Sequence, residues 1–168
     1  PEGTKEYVRS LELIPGVATT EYSAGGIRFR REVFASAPDN VLVVRLSSDQ
    51  PGALTLKASY RRQKDASVTV EGKDEIVING QIVDLPDEGA GVPGPHMKFA
   101  GRIKVRTKGG ATFAGGDAIY VEKADEVVLL VAMNTDYNMS KLDFDRSIDP
   151  EALCTSQLGA VSSLSYQD

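Results

Sequence analysis

The sequence predicts a mainly β protein, an antiparallel sandwich or barrel with one C-terminal α-helix. Three observations predict it. Apolar residues recur mostly in period two, the spacing of a strand that buries one face. Turn pairs rich in Gly and Pro interrupt the chain at short intervals. Only residues 149–164 switch to helical spacing.

The elements follow in order. Val41 to Leu46 is apolar nearly throughout, as expected of a strand covered on both faces near the centre of the structure. Leu54, Leu56, Ala58 and Tyr60 alternate with Thr55, Lys57 and Ser59, which predicts a half-buried strand. Ile76-Val77-Ile78 and Gln81-Ile82-Val83 flank Asn79-Gly80, the dipeptide that fits a two-residue hairpin turn. Asp87 to Pro95 has Gly and Pro but no apolar period and is expected to be a long exposed loop. Phe99, Ile103 and Val105 alternate with Lys98, Arg102, Lys104 and Arg106, and Gly101 among them marks a bulge or a close backbone approach. Val127 to Met133 is a second fully apolar strand. Pro15-Gly16, Gly25-Gly26, Pro51-Gly52, Gly109-Gly110 and Gly115-Gly116 supply the turns. Finally, Asp149 precedes Pro150 and Glu151, an N-cap, an N1 proline and an acidic first turn. Cys154, Leu158 and Val161, flanked by Leu153 and Leu164, form the apolar stripe of a helix over about 150–164.

Composition bounds the chemistry. The 168 residues, 41% hydrophobic and 26% charged, suit one domain that buries roughly 70% of its unfolded surface. A single Cys permits no internal disulfide, and one His supplies no histidine cluster for a metal. The net charge of -5 argues against gripping phosphate backbones, so nucleic acid is not an expected partner. The longest apolar run, Val127 to Met133, is far short of the roughly 20 residues of a membrane-spanning helix. The start at Pro1 and the end just past the helix read as the limits of an excerpt, and localisation stays open.

Several side chains merit weighing as sites. His96 lies in the Pro/Gly loop beside no carboxylate or hydroxyl, and reads as structural or solvent-exposed sooner than as a substrate contact. Asp143, Asp145 and Asp149 offer oxygens to a hard cation but lack the Gly and closing Glu of an EF-hand, and Asp149 is better explained as a cap. Lys98, Arg102, Lys104 and Arg106 form a basic stripe, expected to be answered by Asp and Glu on neighbouring strands. Asn138-Met139-Ser140 fits the N-glycosylation triplet, a pattern frequent by chance. Cys154, on the apolar side of the helix, reads as a packed residue and not a nucleophile. Paired carboxylates alone do not make a glycosidase, and a cleft lined with Trp platforms is ruled out by the absence of Trp. No catalytic, cofactor-binding or metal-ligating residue is assigned.

The ordered motifs nevertheless carry a resemblance. Tyr7-Val8-Arg9-Ser10-Leu11-Glu12-Leu13, then Val17-Ala18, Tyr22 and Gly26, lead into Arg31-Glu32-Val33-Phe34-Ala35-Ser36-Ala37-Pro38-Asp39. Val41 to Leu46 and Pro51-Gly52 follow, and later Met97-Lys98-Phe99-Ala100, Gly109-Gly110, Ala124 to Leu130 and Asn134-Thr135-Asp136-Tyr137. Over essentially the whole chain this resembles the amino-terminal β-sandwich domain of glycoside hydrolase family 95, the α-L-fucosidases. The resemblance implies that residues 1–148 are part of a super-β-sandwich, whose earlier part lies outside this sequence, and that 149–168 are the start of a helical linker toward a catalytic (α/α)6 barrel. It implies a non-catalytic layer that packs against and steadies that barrel, its partner, with glycan bound only through the barrel. No residue matches the family's catalytic positions, and none is carried over. In that packing role the basic stripe, or else the Arg31-Glu32 pair and Asp136-Tyr137, would mark the interdomain surface. Two alternatives stand beside it: a free-standing carbohydrate- or protein-binding sandwich module, and the same layer in a related disaccharide phosphorylase.

Overall fold

A computed structural model describes residues 3–86 and 92–166. The described strands are β1 (Lys5–Glu12), β2 (Val17–Ala24), β3 (Ile27–Ser36), β4 (Val41–Ser48), β5 (Leu54–Ser59), β6 (Ala66–Glu71), β7 (Glu75–Asp84), β8 (Gly94–Lys108), β9 (Ala111–Gly115), β10 (Ala118–Ala124), β11 (Glu126–Thr135), β12 (Tyr137–Asn138) and β13 (Asp143–Phe144). One helix, α1 (Pro150–Ala160), follows them.

Eight strands form one antiparallel sheet in the order β1-β2-β3-β4-β11-β8-β7-β6, and β5-β10-β9 form a smaller one. The two apolar strands read from the sequence, β4 and β11, pair with each other in the middle of the large sheet. One face of that sheet packs on the small sheet: Ile76, Ile78, Val105 and Val127 meet Leu54, Ala58, Ile119, Val121 and Ala124. The opposite face of β4, β8 and β11 packs on α1, where Val41, Val43, Ala100, Leu130 and Ala132 meet Cys154, Leu158 and Val161. The mainly β, antiparallel sandwich with one C-terminal helix is therefore the observed fold, and two separate cores flank the large sheet.

Local chemistry explains the joints. Gly25 and Gly26 both take positive φ, 61° and 82°, the pair of left-handed residues that a tight β2–β3 turn requires. Asp149 caps α1 by accepting from the Glu151 and Ala152 amides at 3.0 and 3.2 Å. The alternation in β5 holds, with Leu54 and Ala58 buried and Thr55, Lys57 and Ser59 exposed.

Four sequence expectations need correction. Asn79-Gly80 makes no hairpin: β7 runs straight through it, Asn79 pairing with Ser67 on one side and Ala100 on the other. Gly80 serves close approach instead, since a Cβ there would lie 2.2 Å from Phe99 Cζ and 2.3 Å from the Asp65 carbonyl oxygen. Second, of the two readings of Gly101 the bulge fails, since the register is unbroken there and the shift falls between Gln81 and Val83; close approach holds, but to the Ile78 and Met133 side chains and not to a backbone. Third, the expected loop 87–95 is shorter at its end, because Gly94 and Pro95 already pair with Asp84 and Val83; residues 87–91 lie outside the described residues. Fourth, α1 stops at Ala160 and gives way to turns, although Val161 still reaches the core. Coverage of β4 and β11 on both faces is also incomplete: Leu42 is 40% exposed and Met133 51%.

Candidate interdomain surface

The helix-bearing face of the large sheet spends its charges internally. Register places Glu21, Arg30, Glu32, Arg45 and Glu126 on adjoining strands β2, β3, β4 and β11. They alternate in sign and touch in sequence: Glu21–Arg30 at 3.5 Å, Arg30–Glu32 at 2.9 Å, Glu32–Arg45 at 2.9 Å and Arg45–Glu126 at 2.6 Å. Burial pulls the Arg45 guanidinium down, but Glu126 and then Glu32 outweigh it and hold its pKa above the ordinary value. Tyr166 lies with its ring 4.5 Å from the Arg45 guanidinium and edge-on to Phe34, so the last described residue is tied to the same ladder.

The basic stripe of β8 meets acids, as its sequence suggested. Arg102 reaches Glu71 at 2.9 Å, Glu75 at 2.6 Å and Glu151 of α1 at 3.3 Å. Lys104 reaches Asp74 at 3.1 Å and Glu75 at 3.4 Å, and these carboxylates outweigh its partial burial to raise its pKa. Arg106 donates to the Leu164 carbonyl at 2.8 Å and so holds the chain after α1. With Arg102 and Lys104 paired inside the domain, the stripe is not an unpaired interdomain patch.

A second cluster clips the segment 136–149 to the start of β8. Asp136 is fully buried, accepts from the Lys98 amide at 2.8 Å and forms an ion pair with Arg146. Arg146 also donates to the His96 carbonyl at 2.8 Å. Asp136 is thus a structural anchor and not the interdomain charge expected from sequence; Tyr137 beside it is exposed. His96 does have a carboxylate near it, Asp84 at 3.4 Å, brought there by β7–β8 pairing, and its Nε2 lies 2.8 Å from the Val92 carbonyl oxygen. The carboxylates considered for a cation are otherwise employed. Asp145 accepts from Lys141 at 2.6 Å, Ser147 Oγ at 2.7 Å and Asn138 Nδ2 at 3.1 Å, interactions that push its pKa well below the usual carboxylate range. Asn138 therefore has its amide nitrogen engaged with Asp145. Cys154 is fully buried with Sγ 3.5 Å from the Ala100 carbonyl oxygen, and burial raises its thiol pKa.

The other face of β1–β4 looks different. The small sheet reaches over β4, β6, β7 and β8. Beyond it, register lines up Leu11, Ala18, Val33 and Val44 in one row and Ala35, Leu42 and Val131 in the next. Leu11 is 61% exposed, and Met133, on the same side of β11, borders the patch. The adjoining row runs Arg9, Thr20, Arg31. Both arginines are exposed, and neither side chain makes a hydrogen bond or ion pair among the described residues. Arg31 and Glu32 therefore serve opposite faces, one unpaired and exposed, the other buried in the ladder. Sequence reasoning singled out Arg31 but missed the apolar rows, because each strand contributes only one or two members and pairing alone assembles them.

A two-sheet sandwich with internally paired charges on one face and an uncovered apolar half on the other has the build of a packing domain. The chain belongs to the family described as glycosyl hydrolase family 65, N-terminal domain, whose sequence pattern matches residues 2–140. It is also similar to alpha-L-fucosidase 2 of Arabidopsis thaliana, 31% identical over 177 residues that take in 96% of this chain and 21% of the plant protein. The resemblance to α-L-fucosidases read from the motifs is thereby upheld. A solved structure provisionally assigned as a kojibiose phosphorylase from human microbiome superposes with a TM-score of 0.60 over 98% of this chain and 23% of that one, at 11% identity, and shows the shared fold. The chain spans about a fifth of the length of these relatives.

Proposed function

We propose that this domain is the non-catalytic β-sandwich layer of a glycoside hydrolase resembling an α-L-fucosidase, and that it steadies a catalytic domain by packing against it. The uncovered rows of the large sheet carry this reading: apolar rows that cross β1–β4 and β11 and include exposed Leu11 and Leu42 are patterned for cover on that side. Residues 1–148 form the sandwich, and 149–168 begin the connection toward the catalytic part. α1 is docked firmly on β8 and β11, which suits a connection that leaves from a fixed point. Release of L-fucose from an aryl α-L-fucoside tests the reading. This chain alone should show only background hydrolysis, and a longer protein that contains it should be active; fucose release by the chain alone overturns it.

A second reading, a carbohydrate-binding module, draws on one observation. Phe113 and Tyr120 stack at 5.5 Å on the outer side of the small sheet, and Phe113 is 43% exposed. A Cβ at Gly115 would lie 2.8 Å from Tyr120 Cε2, so the ring's place is already explained by cover of a glycine. Glycan-array binding by the chain that is lost on Phe113→Ala would favour this alternative.

A further inference from the structure

We infer that two copies of this chain join edge to edge, β6 against β6, into one continuous antiparallel sheet. Among the described residues the large sheet ends in two open edges, β1 and β6. β1 is guarded in the way edge strands usually are: its register breaks between Lys5 and Val8, Glu6 takes a φ of 52° there, and Lys5 and Arg9 stand on the strand. β6 has none of these devices. Ala66–Glu71 carries no Pro, Lys or Arg, and its register with β7 is unbroken. The Gln81 amide donates to the Asp65 carbonyl at 3.0 Å, so alternation along the ladder turns the amides and carbonyls of Ser67 and Thr69 toward β7. Those of Ala66, Val68 and Val70 are left on the free edge. The half-buried side chains of Val68 and Val70 form the border of the core beneath the small sheet, where a further strand would extend their cover.

Charge selects a second copy as the occupant, because the edge is complementary to itself. Ahead of β6, Arg61, Arg62 and Lys64 outnumber Asp65; at its far end, Glu71, Asp74 and Glu75 outnumber Lys73. Arg102 and Lys104 share those carboxylates from β8, yet the Glu71 side chain remains 56% exposed. An antiparallel pair sets the basic end of each copy against the acidic end of the other, whereas a parallel pair sets like against like. Charge also selects the register. With Thr69 facing Thr69 on the two-fold axis, Val68 of each copy exchanges amide–carbonyl bonds with Val70 of the other on the core side, and Ser67 faces Glu71 outside. A shift to Val68 on Val68 would bring Asp65 opposite Glu71.

Sedimentation velocity of the longer protein that contains this chain tests the contact, and a concentration-dependent dimer is expected. Thr69 is exposed, so Thr69→Lys leaves the core alone. It should raise the dimer dissociation constant at least about tenfold by setting two ammonium groups face to face, while Thr69→Ser stays within about twofold of the parent. Thr69→Cys gives a second reading. The two-fold axis would bring the new thiols opposite each other with Cα atoms about 4.5 Å apart, so mild oxidation should yield a disulfide-linked dimer, which buried Cys154 cannot supply. A monomer at every concentration overturns the inference. So does a dimer that Thr69→Lys leaves unchanged, or one that Thr69→Cys fails to cross-link, since pairing would then lie elsewhere. Fucose release enters neither reading, so this contact and the packing role stand or fall separately.

Discussion

Gly80 and Asp136 show how single residues hold the sandwich together. At Gly80 the missing Cβ makes room for the Phe99 ring and the Asp65 carbonyl. Gly80→Ala must push a ring and a backbone oxygen aside, and we expect a loss of about 3 kcal/mol, the upper end for overpacking, visible as a lower urea midpoint. Asp136 buries a charge whose partners are Arg146 and the Lys98 amide. Asp136→Ala removes both and should cost about 3 kcal/mol, the lower end for breaking a buried pair because Arg146 keeps contact with water. An Asp136→Ala protein as stable as the parent would deny that anchor. Both residues illustrate what a sequence hides. Asn-Gly is a turn signal in one dimension, but the same glycine is demanded by Phe99 on the next strand and by Asp65 ahead of β6, and the burial of Asp136 depends on where the start of β8 lies.

At the scale of elements, local signals survived best where chemistry is local. The Asp149 cap, the Pro150 start and the Cys154, Leu158, Val161 stripe were all legible, because capping and helical spacing involve residues within a few positions. Asp149→Ala should cost about 1 kcal/mol. Leu158→Ala, which opens a cavity against β8 and β11, should cost about 3 kcal/mol and speed amide exchange in α1. The segment 136–149 should respond to acid. Lys141, then Ser147 and Asn138, hold the folded Asp145 carboxylate below its ordinary pKa of 3.8. A depressed carboxylate contributes stability that is present above its unfolded pKa and is lost as pH falls through the folded value. Amide exchange in residues 138–147 should therefore accelerate as pH drops below about 4, after correction for intrinsic rates, and Asp145→Asn should remove that dependence. Exchange that is equally acid-sensitive in Asp145→Asn would contradict the assignment.

For the whole molecule, fold class came from period-two spacing and turn pairs, and family from ordered motifs, but the surface came from neither. Strand order puts β11 beside β4 and β8, and that crossover creates both the Glu32–Arg45–Glu126 ladder and the apolar rows around Leu42. No spacing in one dimension encodes which distant strands will be neighbours. The central claim, that the open face is a packing surface and not a catalytic one, is tested most directly with Leu42→Asp in the intact longer protein. Leu42 is 40% exposed here, so the same substitution in this domain alone is the control that separates a loss within the domain from a loss of cover. The account predicts a thermal midpoint lowered by several degrees with turnover by the folded protein within about twofold of the parent, because cover is lost but no reacting group is touched. An unchanged midpoint, or a collapse of turnover in a protein that remains as stable as the parent, would contradict it.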